Sequence, residues 1–172
     1  SGDSSKVIFK KLGVGFWKNT MLDSAEKYLL TAYYIDSSDY EISHVLGQVY
    51  NGLKKYNLSI YYFYRVLKIL EPTSMEINNV HLMLADSYKD DSLYKDAIKY
   101  YSKALDYKYS NGACLEIANI YDDKLKDYTN AIPYYQLFLE NHDKDILRLD
   151  STYIERVAKR LNWIVKNKNK KK

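Results

Sequence analysis

Leu84-Ala85-Asp86-Ser87-Tyr88, followed shortly by Tyr94-Lys95-Asp96-Ala97-Ile98-Lys99-Tyr100-Tyr101-Ser102-Lys103-Ala104, is the stretch on which the reading of this chain turns. The first segment sets a large apolar residue, a small one and an aromatic at Leu84, Ala85 and Tyr88. The second sets Tyr94, Ala97, Tyr101 and Ala104 at intervals of three, four and three. Residues so spaced share one face of an α-helix, so the stretch predicts two helices joined by the short polar link Asp90-Asp91-Ser92.

Working outward, the first pattern recurs at Leu12-Gly13-Phe16, Leu46-Gly47-Tyr50 and Ile117-Ala118-Tyr121, and the second at Leu22-Ala25-Leu29-Ala32, Tyr56-Ser59-Phe63-Val66 and Tyr128-Ala131-Tyr135-Phe138. The small residue of the first set steps by 34, 38 and 33; its counterparts in the second set fall at 25, 59, 97 and 131. A period near 34 signals a repeated helical hairpin. The long step falls at Glu71-Pro72-Thr73-Ser74, where one helix ends and Thr73 with Glu76 has the spacing of a capping box for the next. Small residues at 13, 47, 85 and 118 keep the first helix of each pair thin where the second crosses it, and large residues fill the flanks. Tyr61-Tyr62-Phe63-Tyr64 with Val66-Leu67 has strand-favouring composition, but the equivalent positions of the other units read as helix.

These residues resemble the tetratricopeptide repeat family, and the match is fullest at Leu84, Ala85, Tyr88, Tyr94, Ala97, Tyr101 and Ala104. Ser59, Val66 and Phe138 depart from it, standing where the family favours alanine. The resemblance implies an all-α fold, a right-handed superhelix (solenoid) of about four hairpins at 6–39, 40–73, 74–110 and 111–145. Ile60, Ile98 and Ile132, with Leu67, Leu105 and Leu139, are expected between units; Glu26 and Tyr33 are the more polar equivalents in the first. Beyond 146 the period stops, and Thr152, Glu155 and the stripe Tyr153, Val157, Leu161 and Ile164 predict a capping helix over 146–165. Residues 1–5 are expected to be a disordered or vector-derived lead-in and 166–172 a frayed basic tail.

Composition narrows the function. Hydrophobic residues make up 47% and charged residues 28%, a globular balance. The net charge of +4 comes from the tail: without its five lysines 21 basic residues face 22 acidic ones, so no phosphate-tracking surface and no nucleic-acid partner is expected. One cysteine, Cys114, excludes an internal disulfide, and its thiol is expected to be an inert core group. His44, His81 and His142 fall in different units without metal spacing, so neither metal nor cofactor is expected, and His81 aligns with the packed side. Gly13-Val14-Gly15 lacks the further glycine and preceding strand of a phosphate loop. The paired acids Asp90-Asp91 and Asp122-Asp123 read as solvated turn residues, and no catalytic group is predicted. No apolar run reaches the roughly 18 residues of a spanning helix, so a soluble chain without membrane insertion is expected, with cytoplasm and an exported (periplasmic) compartment both open.

The resemblance also implies that first helices line the inner, concave curve. The stripe one residue round from their packed face is Val7, Lys10, Val14 and Trp17; Glu41, His44, Gln48 and Asn51; Asn79, Leu82, Asp86 and Lys89; and Leu115, Asn119 and Asp122. Asn and Gln there can pair with a peptide backbone, Trp17 and Leu82 can receive an apolar side chain, and the two Asp can meet Lys or Arg. Some family members clamp a carboxylate with lysines, an arginine and asparagines. Here Lys10 is present, but Val14 stands for the expected asparagine, and Asp86 and Asp122 have the wrong sign. The expectation is a non-enzymatic scaffold holding a peptide or helix of another protein, one with basic residues. The alternative is a structural or self-association module of a larger protein or assembly, with a homo-oligomer built through the aligned column Tyr28, Tyr62, Tyr100 and Tyr134.

Overall fold

The computed structural model describes residues 2–69, 74–141 and 151–167. Nine α-helices follow one another there: α1 (Gly2–Lys18), α2 (Leu22–Ile35), α3 (Tyr40–Gly52), α4 (Tyr56–Ile69), α5 (Ser74–Asp90), α6 (Tyr94–Tyr107), α7 (Asn111–Asn119, continued by a π-helical turn, Ile120–Lys124), α8 (Tyr128–Asn141) and α9 (Ser151–Asn167). No strand occurs among the described residues, and Tyr61 to Tyr64 lie inside α4. The chain forms two compact units, 1–93 and 94–172, the division falling between α5 and α6.

In the first unit α1 pairs with α2 and α3 with α4, α1 also touching α3, and α3 touching α5. The hairpins close where the predicted small residues sit. A Cβ on Gly13 would stand 2.5 Å from Leu29 Cγ and 3.0 Å from the Leu29 backbone nitrogen; one on Gly47 would stand 2.7 Å from the Phe63 ring. Ala25, Leu29, Ala32, Leu46 and Val66 are wholly buried there. Ser59, the departure from alanine, is buried too, its hydroxyl donating to the Gly47 carbonyl oxygen at 2.8 Å, so that the hydroxyl is satisfied within the hairpin crossing.

In the second unit Cys114, Ala118, Ala131, Tyr135 and Phe138 form one core with Val157 and Ile164 of α9, and Tyr153 and Leu161 pack at its edge. That stripe holds the terminal helix against the last hairpin. Thr152, expected to cap α9, lies inside it, one residue beyond its start at Ser151. The helix also continues through Lys166 and Asn167, expected to be tail. At the other end α1 reaches back to Gly2; residues 2–5, expected to be disordered, are helical, and the Lys6 ammonium reaches Asp36 Oδ2 at 2.9 Å and ties this first turn to the end of α2. Thr73, His142 and Lys168 to Lys172 lie outside the described residues.

Each hairpin turns through one residue with positive φ: Thr20, Lys54, Ser92 and Lys126, at 55° to 62°. In the first three, the amide just beyond it reaches back five residues, as from Lys55 N to Tyr50 O at 2.8 Å, which closes the end of the first helix. In the fourth the closing bond runs from Asp127 N to Tyr121 O, six residues back. The π turn supplies that extra residue, and it accounts for the 33-residue step between Ala85 and Ala118 while the turn residues themselves stay 34 apart, at 92 and 126.

Two glycines on α1 separate packing from propensity. Alanine suits a helix better than glycine by about 1 kcal/mol, and a Cβ on Gly15 meets nothing within 4 Å. Gly15→Ala is expected to raise the unfolding free energy by up to about 1 kcal/mol, and Gly13→Ala to lower it by about 1–3 kcal/mol. Urea unfolding of both variants checks this; a gain at both positions would mean that the α1–α2 approach is looser than described.

Candidate functional site

In the first unit α1, α3 and α5 bring predicted stripe residues round one groove of about 420 Å³, whose walls include Lys10, Val14, Trp17, His44, Gln48 and Asn79. A smaller hollow of about 160 Å³ is lined by Gln48, Asn51 and Asp86 with Phe63 and Met83. Leu82 and Val7 line neither, and Lys89 reaches across one helical turn to Asp86 at 3.5 Å. The groove also recruits Tyr40, Glu41, Val45, Val66, Glu76 and Val80. Apart from Glu41, these were missed by the stripe. Tyr40, Val45, Glu76 and Val80 flank its positions on α3 and α5, and Val66 comes up from α4. The bulk of Val66, where the family favours alanine, was the available signal.

The rim is fixed by Asp39. Its carboxylate caps α3, accepting from the Glu41 and Ile42 amides at 3.1 and 3.4 Å, and it takes the Lys10 ammonium at 2.8 and 3.0 Å. Glu41 completes the cluster by pairing with Lys10. Burial works against the lysine's charge, but its bonds to Asp39 and Glu41 outweigh that and hold its pKa above the ordinary value.

The floor is neutral. Burial pushes the His44 pKa below 6.5, and its Nε2 lies 3.1 Å from Met83 Sδ, with Gln48 Nε2 donating to the same sulfur at 3.4 Å. The thioether thus turns the Gln48 amide so that Oε1 faces away, buried and without a protein hydrogen-bond partner. Asn51 is tied to Ser87 Oγ at 3.1 Å.

The fourth repeat is arranged otherwise. Asp122, expected on an open face, is 1% exposed: Arg160 of α9 holds it through two bonds, Nε to Oδ2 at 2.7 Å and Nη2 to Oδ1 at 2.6 Å, and the Tyr135 hydroxyl lies 3.0 Å from both Asp122 Oδ2 and Asn119 Oδ1. The Arg160 guanidinium rests on Trp163, 4.5 Å from the ring centroid. Leu115 packs against the second unit's core. Asp122 therefore serves the seam between the last hairpin and α9. It is unavailable to a ligand's lysine, because a carboxylate with both oxygens taken by a guanidinium has its charge already matched.

The tyrosine column also differs from expectation. Tyr62 and Tyr100 are buried, and burial raises the Tyr62 phenol to about 12. Tyr28 stacks on Phe16 at 5.3 Å and Tyr134 on Tyr121 at 6.1 Å. These rings form packing, not an outer patch. Cys114 is buried, and burial raises its thiol pKa. Among the described residues no group of three His, Cys, Asp or Glu could hold a metal ion, and no helix is long and apolar enough to cross a membrane.

The model of the tetratricopeptide repeat matches residues 79–111 and 112–141. No curated protein matches the chain in sequence. Among solved structures it is similar to MamA (residue 41 to end) from Desulfovibrio magneticus RS-1, with a TM-score of 0.72 and 14% identity over 82% of this chain and 77% of that one. It is similar to the apo form of RapI at 0.77 and 20%, over 95% and 64%. The N-terminal domain of stress-induced protein-1 from C. elegans aligns at 0.61 and 12%, over 70% and 97%. At such identities the likeness is one of fold.

Two outcomes check the site's geometry. The His44 imidazole is expected to titrate below 6.5 in an NMR pH series, and a midpoint at or above that value would mean that it is open to water. A folded pKa below the unfolded one adds stability above the unfolded pKa that is lost as pH falls through the folded value, so acid should weaken the fold through this residue. Asp122→Asn should cost about 1–3 kcal/mol in thermal or urea unfolding, since it removes the charge that Arg160 meets at a half-open site.

Proposed function

We propose that this chain, whose residues 79–111 and 112–141 match the tetratricopeptide repeat, is a non-enzymatic scaffold which holds a peptide or helix of a partner protein in the groove of its first unit. The observation that carries this reading is the groove itself, within the roughly 300–1,000 Å³ range of ligand sites and built by three successive first helices. It joins an apolar wall (Val14, Trp17, Val45, Val66 and Val80) to polar groups suited to a backbone (Gln48 and Asn79). Trp17 is the anchor: it packs on the first unit's core while lining the groove, and a half-covered tryptophan gives large contact area with little rotamer entropy to lose. Stacked helical hairpins are in general binding surfaces, and their function lives in such side chains and not in the fold.

The partner-binding set is accordingly Lys10, Val14, Trp17, His44, Gln48, Asn51, Asn79 and Asp86. Leu115, Asn119 and Asp122 are assigned to the fit of α9.

A second reading, self-association, finds support in a different surface from the tyrosine column. Ile8 and Leu12 stand exposed one turn apart on α1, and Gly15, one turn further, is open. Sedimentation over a concentration series decides it: a monomer throughout removes this reading. For the first reading, affinity capture from the native host should recover a protein with the wild-type chain and lose it with Trp17→Ala, while Asp122→Asn retains it. A partner kept by Trp17→Ala would place binding elsewhere.

A further inference from the structure

We infer that this groove selects a segment in which an apolar residue is followed closely by Lys or Arg, and that Gln48 reads one backbone N–H of that segment; the inference rests on the groove being the binding site. Three observations carry it together.

The first is the charge along the groove. Its lining and immediate border hold five carboxylates, Asp39, Glu41, Glu76, Asp86 and Asp90, against two ammonium groups, Lys10 and Lys89. Lys10 is saturated, with both Asp39 oxygens and Glu41 on one ammonium, so it has no free donor for a ligand carboxylate. Lys89 faces Asp86. The named acids outnumber the named bases by three, so this border favours a cation over an anion.

The second is the apolar wall, where Val14, Trp17, Val45, Val66 and Val80 leave room for a side chain beside the acidic rim of Glu41 and Glu76. Apolar wall and rim belong to the same groove, so a single extended segment can satisfy both with neighbouring residues.

The third is Gln48. It lines both hollows, and its Oε1 is buried without a protein partner while its Nε2 is committed to Met83. A buried acceptor left unpaired is costly, and because Gln48 lines both hollows, a chain running between them can supply the missing donor to its side chain. The sulfur decides the orientation, because a thioether accepts and does not donate. What Gln48 has left to offer is therefore an acceptor, which suits an amide N–H and not a carbonyl.

A randomised peptide library displayed on phage and panned against the full chain tests this. The expected consensus is an apolar residue beside Lys or Arg. A synthetic peptide with that consensus should bind about tenfold more tightly than its Glu-substituted twin, and Glu41→Lys with Asp86→Lys should reverse that order. N-methylation along the peptide should weaken binding strongly at one amide, and that penalty should vanish in Gln48→Met. Thermal unfolding of each variant shows that it is folded. Peptides that depend on Trp17 but carry acidic residues or a terminal carboxylate would overturn this inference while leaving the groove as the site. A library whose binders are indifferent to Trp17→Ala, or that yields none, would overturn the groove reading and this inference with it.

Discussion

Two α-helices can lie close only where one of them has almost nothing to put between the backbones. In the first unit that condition is met by Gly13 beneath Leu29 and by Gly47 beneath the Phe63 ring. Elsewhere Ala85 and Ala118 are the buried small residues at the same point of the pattern. Everything downstream depends on this restraint. Because the hairpins close tightly, successive first helices can lie side by side, and Trp17, His44, Gln48 and Asn79 meet around one hollow although they come from three helices.

The groove is built economically, with groups that also hold the scaffold. Asp39 ends the turn before α3, satisfies that helix's first amides and anchors Lys10 from α1. Met83 fixes both His44 and Gln48. The preorganisation this gives is worth more to a binding site than the individual bonds, which are modest at a half-exposed rim. It also explains why the sign of the site differs from a carboxylate clamp: the lysine that could serve one is already spent on holding two helices in register.

Much of this was legible in the chain. Periodicity located the paired helices, the small-residue crossings and the stripe of α9, and rotating that pattern by one residue found seven of the groove's walls, Lys10, Val14, Trp17, Glu41, His44, Gln48 and Asn79. It failed where a side chain's environment is set by something distant in sequence. Asp122 lies on the same predicted stripe as Asp86, yet an arginine 38 residues later takes it out of solvent. Tyr62 and Tyr100 look like surface aromatics because tyrosine is ambiguous between cover and core. The 33-residue step was visible as an irregularity, but that a π turn absorbs it follows only from the hydrogen bonds, since an inserted residue can equally lengthen a loop.

The corners of the hairpins carry one more implication. Thr20, Lys54, Ser92 and Lys126 sit in left-handed backbone geometry without being glycine, and Thr20 is β-branched as well. An L-residue pays roughly 1–2 kcal/mol to sit there, and the helices repay it at every bend. The molecule thus holds itself below the stability its architecture permits, at four corners whose side chains line neither the groove nor the smaller hollow, so that the endurance of the scaffold can be altered without changing the groove's own walls.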